Sequence, residues 1–332
     1  MATHPRDIVA IGCSAGGVEA LPRILQQLPE EMEASIFIVQ HMAATSTPHL
    51  VGILQRSCQL PVSWAEQGAP IERRHVVVSP PDVHLLFTDG HVRLSKSARE
   101  NHSRPSIDKL FRSAAALYDS RVIGVLLTGM LEDGVAGLGA IRQAGGCVIV
   151  QDPTDAAFPE LPSRALQVVV PDRKLPIDAI GAAIIAFVGK DVGVSPPPLQ
   201  VALEAEIDRE GPVTPEKMLA LGPQSSLTCP ECHGPMWQVG DEQLRRYRCY
   251  LGHVATAQHI LAGNEVEVEA ALWSAVRALN ERVLTLETLA TDAALIGNGQ
   301  SAGGYASRAR EARQQLEIAR QFVMDLDLGR PR

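Results

Sequence analysis

Three apolar runs are each followed by a residue with useful chemistry: a serine, a histidine and a carboxylate. Ser14 lies in Ile8-Val9-Ala10-Ile11-Gly12-Cys13-Ser14-Ala15-Gly16-Gly17. His41 follows Ile36-Phe37-Ile38-Val39-Gln40, and Glu132-Asp133 follow the run from Val122 to Met130. A hydroxyl nucleophile needs a base to take its proton and a carboxylate to fix the base's tautomer, so this set suits acyl transfer. Each residue also has a plainer role. Ser14 reads as a helix N-cap, His41 as a polar residue at a strand end, and Asp133 before Gly134 as a cap or turn residue. The chemical reading requires the three runs to be parallel strands of one sheet, so that their loops share an edge. Spacing alone leaves Glu132 and Asp133 as equal candidates for the carboxylate.

The elements that would position these residues follow from periodicity. A short β-branched run ending in small residues reads as a buried parallel strand. Val18, Leu21, Ile24, Leu25 and Leu28 give an amphipathic helix over 16–28, with Pro22 inside it. Ser14 then sits at the carboxyl edge of an open α/β sheet, where such folds place ligands. Gly12-Cys13-Ser14-Ala15-Gly16 reads G-x-S-x-G, a nucleophile elbow in its strand-to-helix context. A dinucleotide cradle fits less well, because Ser14 takes the middle glycine's place and the second strand ends in Gln40-His41 without an acid. No G-K-[ST] follows, which disfavours a P-loop. The order Ser14, His41, Asp133 differs from that of α/β-hydrolases. The Cys13 side chain should point away from that of Ser14. Further helices are expected over 48–57 (starting near Thr47-Pro48), 106–118, 134–144 and 175–188, with a strand over 147–151. Three short strands in 75–95 break the rhythm, with Asp89-Gly90 as a hairpin turn. His84, His91 and His102, in or just after that hairpin, read as exposed polar residues.

A second cluster lies near the C-terminus. Cys229-Pro230-Glu231-Cys232 and Cys249-Tyr250-Leu251-Gly252-His253 form C-x2-C-x16-C-x3-H. Three thiolates and an imidazole make a closed tetrahedral set suited to a structural Zn²⁺ ion, with Cys229, Cys232, Cys249 and His253 as ligands. The remaining cysteines, 13, 58 and 147, lie singly in apolar or helical contexts and read as reduced and structural.

Ile11–Gly17, Val39–Met42, Asn101–Asp108 and Leu127–Gly134 together resemble the catalytic domain of the bacterial chemotaxis protein-glutamate methylesterases, the CheB family, over about residues 5–190. The resemblance implies a doubly wound, mostly parallel α/β sheet carrying Ser14 as nucleophile, His41 as base and Asp133 as its orienter. It favours Asp133 over Glu132. It places the oxyanion amides at Ala15 and Met130, and suggests a substrate-facing loop at Arg104. Phe158-Pro159-Glu160-Leu161-Pro162 also resembles a family loop near the active-site edge. The implied reaction is hydrolysis of glutamate methyl esters on chemoreceptor-like proteins, with glutamine deamidation as a companion activity and no cofactor for catalysis. The phosphoacceptor receiver of well-known members is expected to be absent, because the sequence begins close to the catalytic strand. Ala15 stands where the family often has Thr, and Leu131-Glu132 are bulkier than usual.

Composition is compatible with this reading. A formal charge of −8 and 4% aromatic residues disfavour a nucleic-acid binder, which would show a basic face or stacking platforms. No secretory signal is visible, and residues 177–188 are too short and too interrupted to span a membrane, so a cytoplasmic protein is expected. The chain divides into a catalytic domain at 1–190, a linker at 191–224 containing Pro196-Pro197-Pro198 and then a stretch of mixed character with room for one short helix at 199–224, a zinc-ribbon-like module at 225–256 and a helical hairpin or coiled-coil tail at 257–332. Leu272, Val276, Leu279, Val283 and Leu286 form one heptad-like seam. Ala309, Ala312, Leu316, Ala319, Val323 and Leu326 form another, beyond a flexible glycine-rich break at 297–304. The tail is expected to dimerise the protein or bind a signalling partner. The alternative function is a non-catalytic adaptor that binds receptor-like helices.

Overall fold

The structure, a computed structural model, describes residues 3–43, 45 and 49–328, with side chains described as far as 325. It divides into two units, Met1–Ala257 and Gln258–Arg332. The first unit opens with β1 (Thr3–Pro5), β2 (Ile8–Cys13), α1 (Gly17–Leu25), β3 (Ser35–Gln40), α2 (Leu50–Gln55), β4 (Val62–Trp64) and β5 (His75–Val78). A hairpin follows, β6 (His84–Thr88) and β7 (His91–Ser95), then α3 (Ile107–Tyr118), β8 (Val122–Leu126), α4 (Val135–Gln143), β9 (Cys147–Gln151) and α5 (Glu160–Val168). After β10 (Arg173–Leu175), α6 (Ile177–Phe187) and β11 (Asp191–Gly193) come α7 (Leu199–Glu210) and α8 (Pro215–Leu219). The unit ends with β12 (Gln224–Thr228), β13 (Pro235–Val239), β14 (Arg246–Cys249) and β15 (Val254–Ala255).

Seven strands form one parallel sheet in the order β10-β9-β8-β2-β3-β5-β4. The strand order reverses between β2 and β8, which makes the crevice at their carboxyl ends the ligand position of a doubly wound fold. The central strands are buried along their whole length, so they read as continuous apolar runs and not as alternation. Phe37, Val39, Leu126 and Val150 pack with Phe111, Leu138 and Ile141 on one face. Ile36, Ile38, Val125 and Ile149 pack with Leu21, Ile24 and Ile180 on the other.

Helix α1 stops at Leu25, earlier than residue 28, and the helix expected over 48–57 is α2. Its expected start at Thr47-Pro48 lies outside the described residues. Asp89 and Gly90 both have positive φ, the type I′ turn that joins β6 to β7. His84 corrects an expectation. It is buried, with Nε2 bonded to the Ala98 carbonyl and Nδ1 accepting from the Ser106 amide. Residues 84–87 of β6 are all buried, so both faces of the strand are covered and both His84 ring nitrogens meet backbone groups.

The stretch 191–224, read as a linker, carries β11, α7 and α8. Val201, Ala205 and Ile207 of α7 are buried, and so are Glu204 and Asp208. Carboxylates on the packed face make such a helix look solvated in sequence. Ile207, Met218 and Leu221 share a small core with Trp237 and Val239 of the antiparallel β12-β13-β14-β15 sheet.

Helices α3 and α4 approach closely at Gly137, whose amide donates to the Asp108 carboxylate at 2.6 Å. A Cβ there would lie 2.7 Å from the Asp108 carbonyl oxygen. Gly137→Ala should therefore destabilise the fold by about 2 kcal/mol through overpacking, read as a lowered urea midpoint at unchanged m-value.

The second unit is a helical hairpin. Helix α9 (Ala257–Leu295) enters it, and α10 (Gly299–Leu328) follows after a short turn. Val283 and Leu286 pack with Ala309 and Ala312, so the two seams face each other within one chain. The Leu326 side chain lies outside the described residues. The break is shorter than expected, because the Asn298 side chain accepts from the Ser301 amide and starts α10 at Gly299. Among the described residues, no helix is long and apolar enough to cross a membrane.

Candidate active site and metal centre

The structure brings Ser14, His41 and Asp133 together at the reversal point of the sheet. Ser14 follows β2, and its amide donates to the Thr128 carbonyl beyond β8 at 3.1 Å. The chain then turns through Gly16, whose φ of +78° needs glycine, into α1. His41 follows β3, and its amide extends the β2–β3 ladder by donating to the Cys13 carbonyl. The His41 Nδ1 lies 3.1 Å from Ser14 Oγ, and its Nε2 lies 2.7 Å from Asp133 Oδ2. An ionised carboxylate only accepts, so Nε2 carries the proton and Nδ1 presents its lone pair to the serine hydroxyl.

Asp133 sits in a nest of donors. Oδ2 accepts from His41 Nε2 and from the Ile107 amide at 2.7 Å. Oδ1 accepts from Ser106 Oγ at 2.8 Å and the Asp108 amide at 3.3 Å. Ser106 caps α3, so the first turn of that helix is aimed at the carboxylate. Burial pushes the Asp133 carboxyl up. The His41, Ile107 and Ser106 hydrogen bonds and the His41 charge together outweigh this and hold it below the usual range. Asp108, behind it, is pushed well above that range by burial and by the Asp133 and Glu100 charges. The sequence reading gave no role to Ser106, Ile107 or Asp108; a Ser directly before an amphipathic helix was the available signal. It also missed Gln40, whose amide donates to the Ser14 and His41 carbonyls.

The neighbouring carboxylate is placed elsewhere: Glu132 pairs with Arg164 at 3.3 Å. Leu131, with φ +63°, turns the backbone between Met130 and these two acids. Ala15 and Met130 lie on loops joined by Thr128, whose hydroxyl donates to the Ala15 carbonyl and accepts from the Phe158 amide. A Cβ on Gly129 would lie 2.9 Å from the Ser14 Cβ, so the loop leading to Met130 packs directly on the serine. The 158–162 loop is here too, through hydrogen bonds of Gly129 with Phe158 and Leu161. Cys13 turns away from Ser14. Its thiol donates to Gln40 Oε1, and burial raises it well above the normal thiol range.

A cavity of about 330 Å³ opens beside His41, lined by Met42, Asp82, Arg99, His102 and Arg104. Arg104 is fixed in its wall by Asp82 at 2.8 Å and by the carbonyls of Lys96 and Ser97.

Cys229, Cys232, Cys249 and His253 converge separately, with all four ligand atoms within 4.8 Å of one another. Ligand bonds of 2.3 Å to sulfur and 2.0–2.1 Å to nitrogen put tetrahedral S···S and S···N separations at about 3.8 and 3.6 Å. The Cys232–Cys249 sulfurs are 3.7 Å apart, and the Cys249 sulfur is 3.6 Å from His253 Nδ1. The donor set fits one tetrahedral ion.

Residues 9–184 match the family described as CheB methylesterase. A protein of Leptospira interrogans is 38% identical over 180 residues, covering 54% of this chain and 93% of its own length. A protein-glutamate methylesterase/protein-glutamine glutaminase of Anaeromyxobacter dehalogenans is 39% identical over 178 residues, covering 54% of this chain and 52% of that protein. The chain thus spans about half the length of that second relative. The crystal structure of the Thermotoga maritima CheB methylesterase catalytic domain superposes with a TM-score of 0.53 at 34% identity, covering 55% of this chain and 98% of that one. The chain carrying this serine, histidine and aspartate at the edge of a parallel sheet belongs to the CheB methylesterase family of hydrolases.

Proposed function

We propose that the chain hydrolyses glutamate methyl esters on chemoreceptor-like proteins through Ser14, His41 and Asp133. The observation that carries this reading is His41 bridging Ser14 at 3.1 Å and Asp133 at 2.7 Å. Ser14 Oγ attacks the ester carbonyl while His41 Nδ1 takes its proton, and Asp133 stabilises the imidazolium. The Ala15 and Met130 amides receive the oxyanion; donors of this kind are each worth about 3 kcal/mol. His41 returns its proton to the departing methoxide, and methanol leaves a Ser14–glutamyl ester. Water, activated by the same Nδ1, then releases the glutamate. A glutamine carboxamide follows the same path with ammonia as leaving group. Arg104, held in the cavity wall, contacts the substrate. The Cys3His set holds a structural Zn²⁺ ion; its four protein ligands leave no open position for catalysis.

The test is methanol release from a methylated chemoreceptor signalling fragment incubated with the intact, metal-loaded protein. Stoichiometric methanol and new glutamate carboxylates are expected. A folded protein that releases neither methanol nor, from the glutamine form, ammonia would overturn the reading.

A further inference from the structure

The loop at 98–108 has two ends with different attachments. Its C-terminal end, Ser106 to Asp108, supplies three of the donors to Asp133. Its N-terminal end is gripped by the Cys3His module. The Asn101 amide donates to the Val254 carbonyl at 2.8 Å, and the Val254 amide to the Arg99 carbonyl at 3.3 Å, directly after the ligand His253. The His102 ring meets Glu231 at 2.6 Å, and Glu231 lies between the ligands Cys229 and Cys232. Buried Glu100 accepts from Arg112 of α3 and from Arg246 of β14, the strand that ends in the ligand Cys249. Arg248 of the same strand reaches Asp208 of α7 at 2.9 Å, and Asp208 accepts from Arg112 at 2.8 Å. Every ligand-bearing segment is therefore tied, directly or through this ionic cluster, to the loop or to the helix that continues it. Ion pairs buried this deeply contribute more to fixing one arrangement than to stability, because each charge tolerates few alternative partners.

We propose that the Cys3His module is a positioning part of the active site. Through Val254, Glu231 and Arg246 it holds the 98–108 loop where Ser106, Ile107 and Asp108 meet Asp133 and where His102 and Arg104 wall the cavity. The consequence for turnover rests on the esterase reading above; the consequence for the loop does not. Val254, Glu231 and Arg246 do not line the cavity beside His41.

The experiment uses the full chain in four forms: zinc-loaded, chelator-stripped, zinc-loaded Glu231→Gln, which keeps all four ligands and leaves no buried charge, and zinc-loaded Glu231→Asp. The first readout is hydrogen–deuterium exchange over 99–108, with strands 8–13 and 122–126 as internal controls. Stripping should accelerate loop exchange about tenfold while the strands keep their protection, and Glu231→Gln should do so to a smaller degree. The second readout is Ser14-dependent hydrolysis of p-nitrophenyl acetate, an ester too small to need the cavity wall. Its kcat should fall about 10–100-fold on stripping at nearly constant KM, and Glu231→Asp should recover more than Glu231→Gln. If stripping unfolds the whole unit, Glu231→Gln decides. Unchanged loop exchange in Glu231→Gln, with zinc bound, would then overturn the proposal, as would a loop unmoved by stripping. If the zinc-loaded wild type shows no Ser14-dependent hydrolysis, the esterase reading loses support and the exchange measurement alone decides the positioning role.

Discussion

Replacing Ser14 with alanine should lower the rate of methanol release from a methylated receptor fragment by about 10⁴–10⁶-fold, the range seen when a triad nucleophile is removed. The hydroxyl is the atom that forms the new bond, so its loss removes the covalent path. The structural cost should be small. Ser14 holds the turn through its backbone, donating to Thr128 and accepting from Gly17 and Gln40, and alanine keeps all three bonds. Substrate affinity should therefore change little, and the loss should fall on kcat. Thermal unfolding of the variant within a few degrees of wild type would confirm that chemistry, not folding, was removed. A variant retaining a tenth of the wild-type rate would exclude Ser14 as the nucleophile.

The parts of this site that can be read from sequence are those set by local patterning. Ser14 and His41 each end a β-branched run buried on both faces, and such runs identify parallel strands without knowledge of their neighbours. The strand order that brings β8 beside β2 adds the third loop. The choice between Glu132 and Asp133 depends on a single backbone turn. Leu131 at φ +63° and Gly134 at φ +104° point consecutive carboxylates in different directions, one to Arg164 and one to His41. No periodicity marks that difference, and only the family resemblance favoured Asp133.

The ionic cluster was illegible for another reason. Glu100, Arg112, Glu204, Asp208, Arg246 and Arg248 are scattered over nearly 150 positions, and charged residues ordinarily read as solvated surface. Their burial is made tolerable by mutual neutralisation. Burial is the largest single effect on the Glu204 carboxyl and pushes it up, but the Arg246, Arg112 and Arg248 charges and the Arg246 hydrogen bond together outweigh it and hold the group below its usual range. Helix α7, assigned to a linker on its proline-rich approach, is in fact where two of these carboxylates reside. The Cys3His set was visible because its ligand spacing is local. Its attachment to the catalytic loop was not, because that attachment is entirely long-range.

Asp133→Asn should cost about 10³–10⁴-fold in kcat while preserving the shape of the site, because it inverts one hydrogen bond that controls a tautomer. The carboxylate accepts from four donors: His41 Nε2, the Ile107 amide, Ser106 Oγ and the Asp108 amide. An asparagine has one oxygen. If its NH₂ faces His41, the ring must accept at Nε2 and carry its proton on Nδ1, where it can no longer take the Ser14 proton. If the NH₂ faces Ser106 and Asp108, it meets a backbone donor that cannot turn away. Either arrangement leaves buried polar groups mismatched, at a cost of about 2–4 kcal/mol in folding stability. The pH dependence carries a separate signature. The folded-state carboxyl of Asp133 lies below its unfolded value, so its contribution to stability is complete above the ordinary aspartate range near pH 4 and is lost as pH falls through the folded value. The variant has no such group. The stability gap between wild type and Asp133→Asn, measured by urea unfolding, should therefore be widest at neutral pH and narrow below about pH 4. A gap that instead widens as pH falls through that range would mean that Asp133 is held neutral in the folded protein, and would remove the basis for assigning the His41 proton to Nε2.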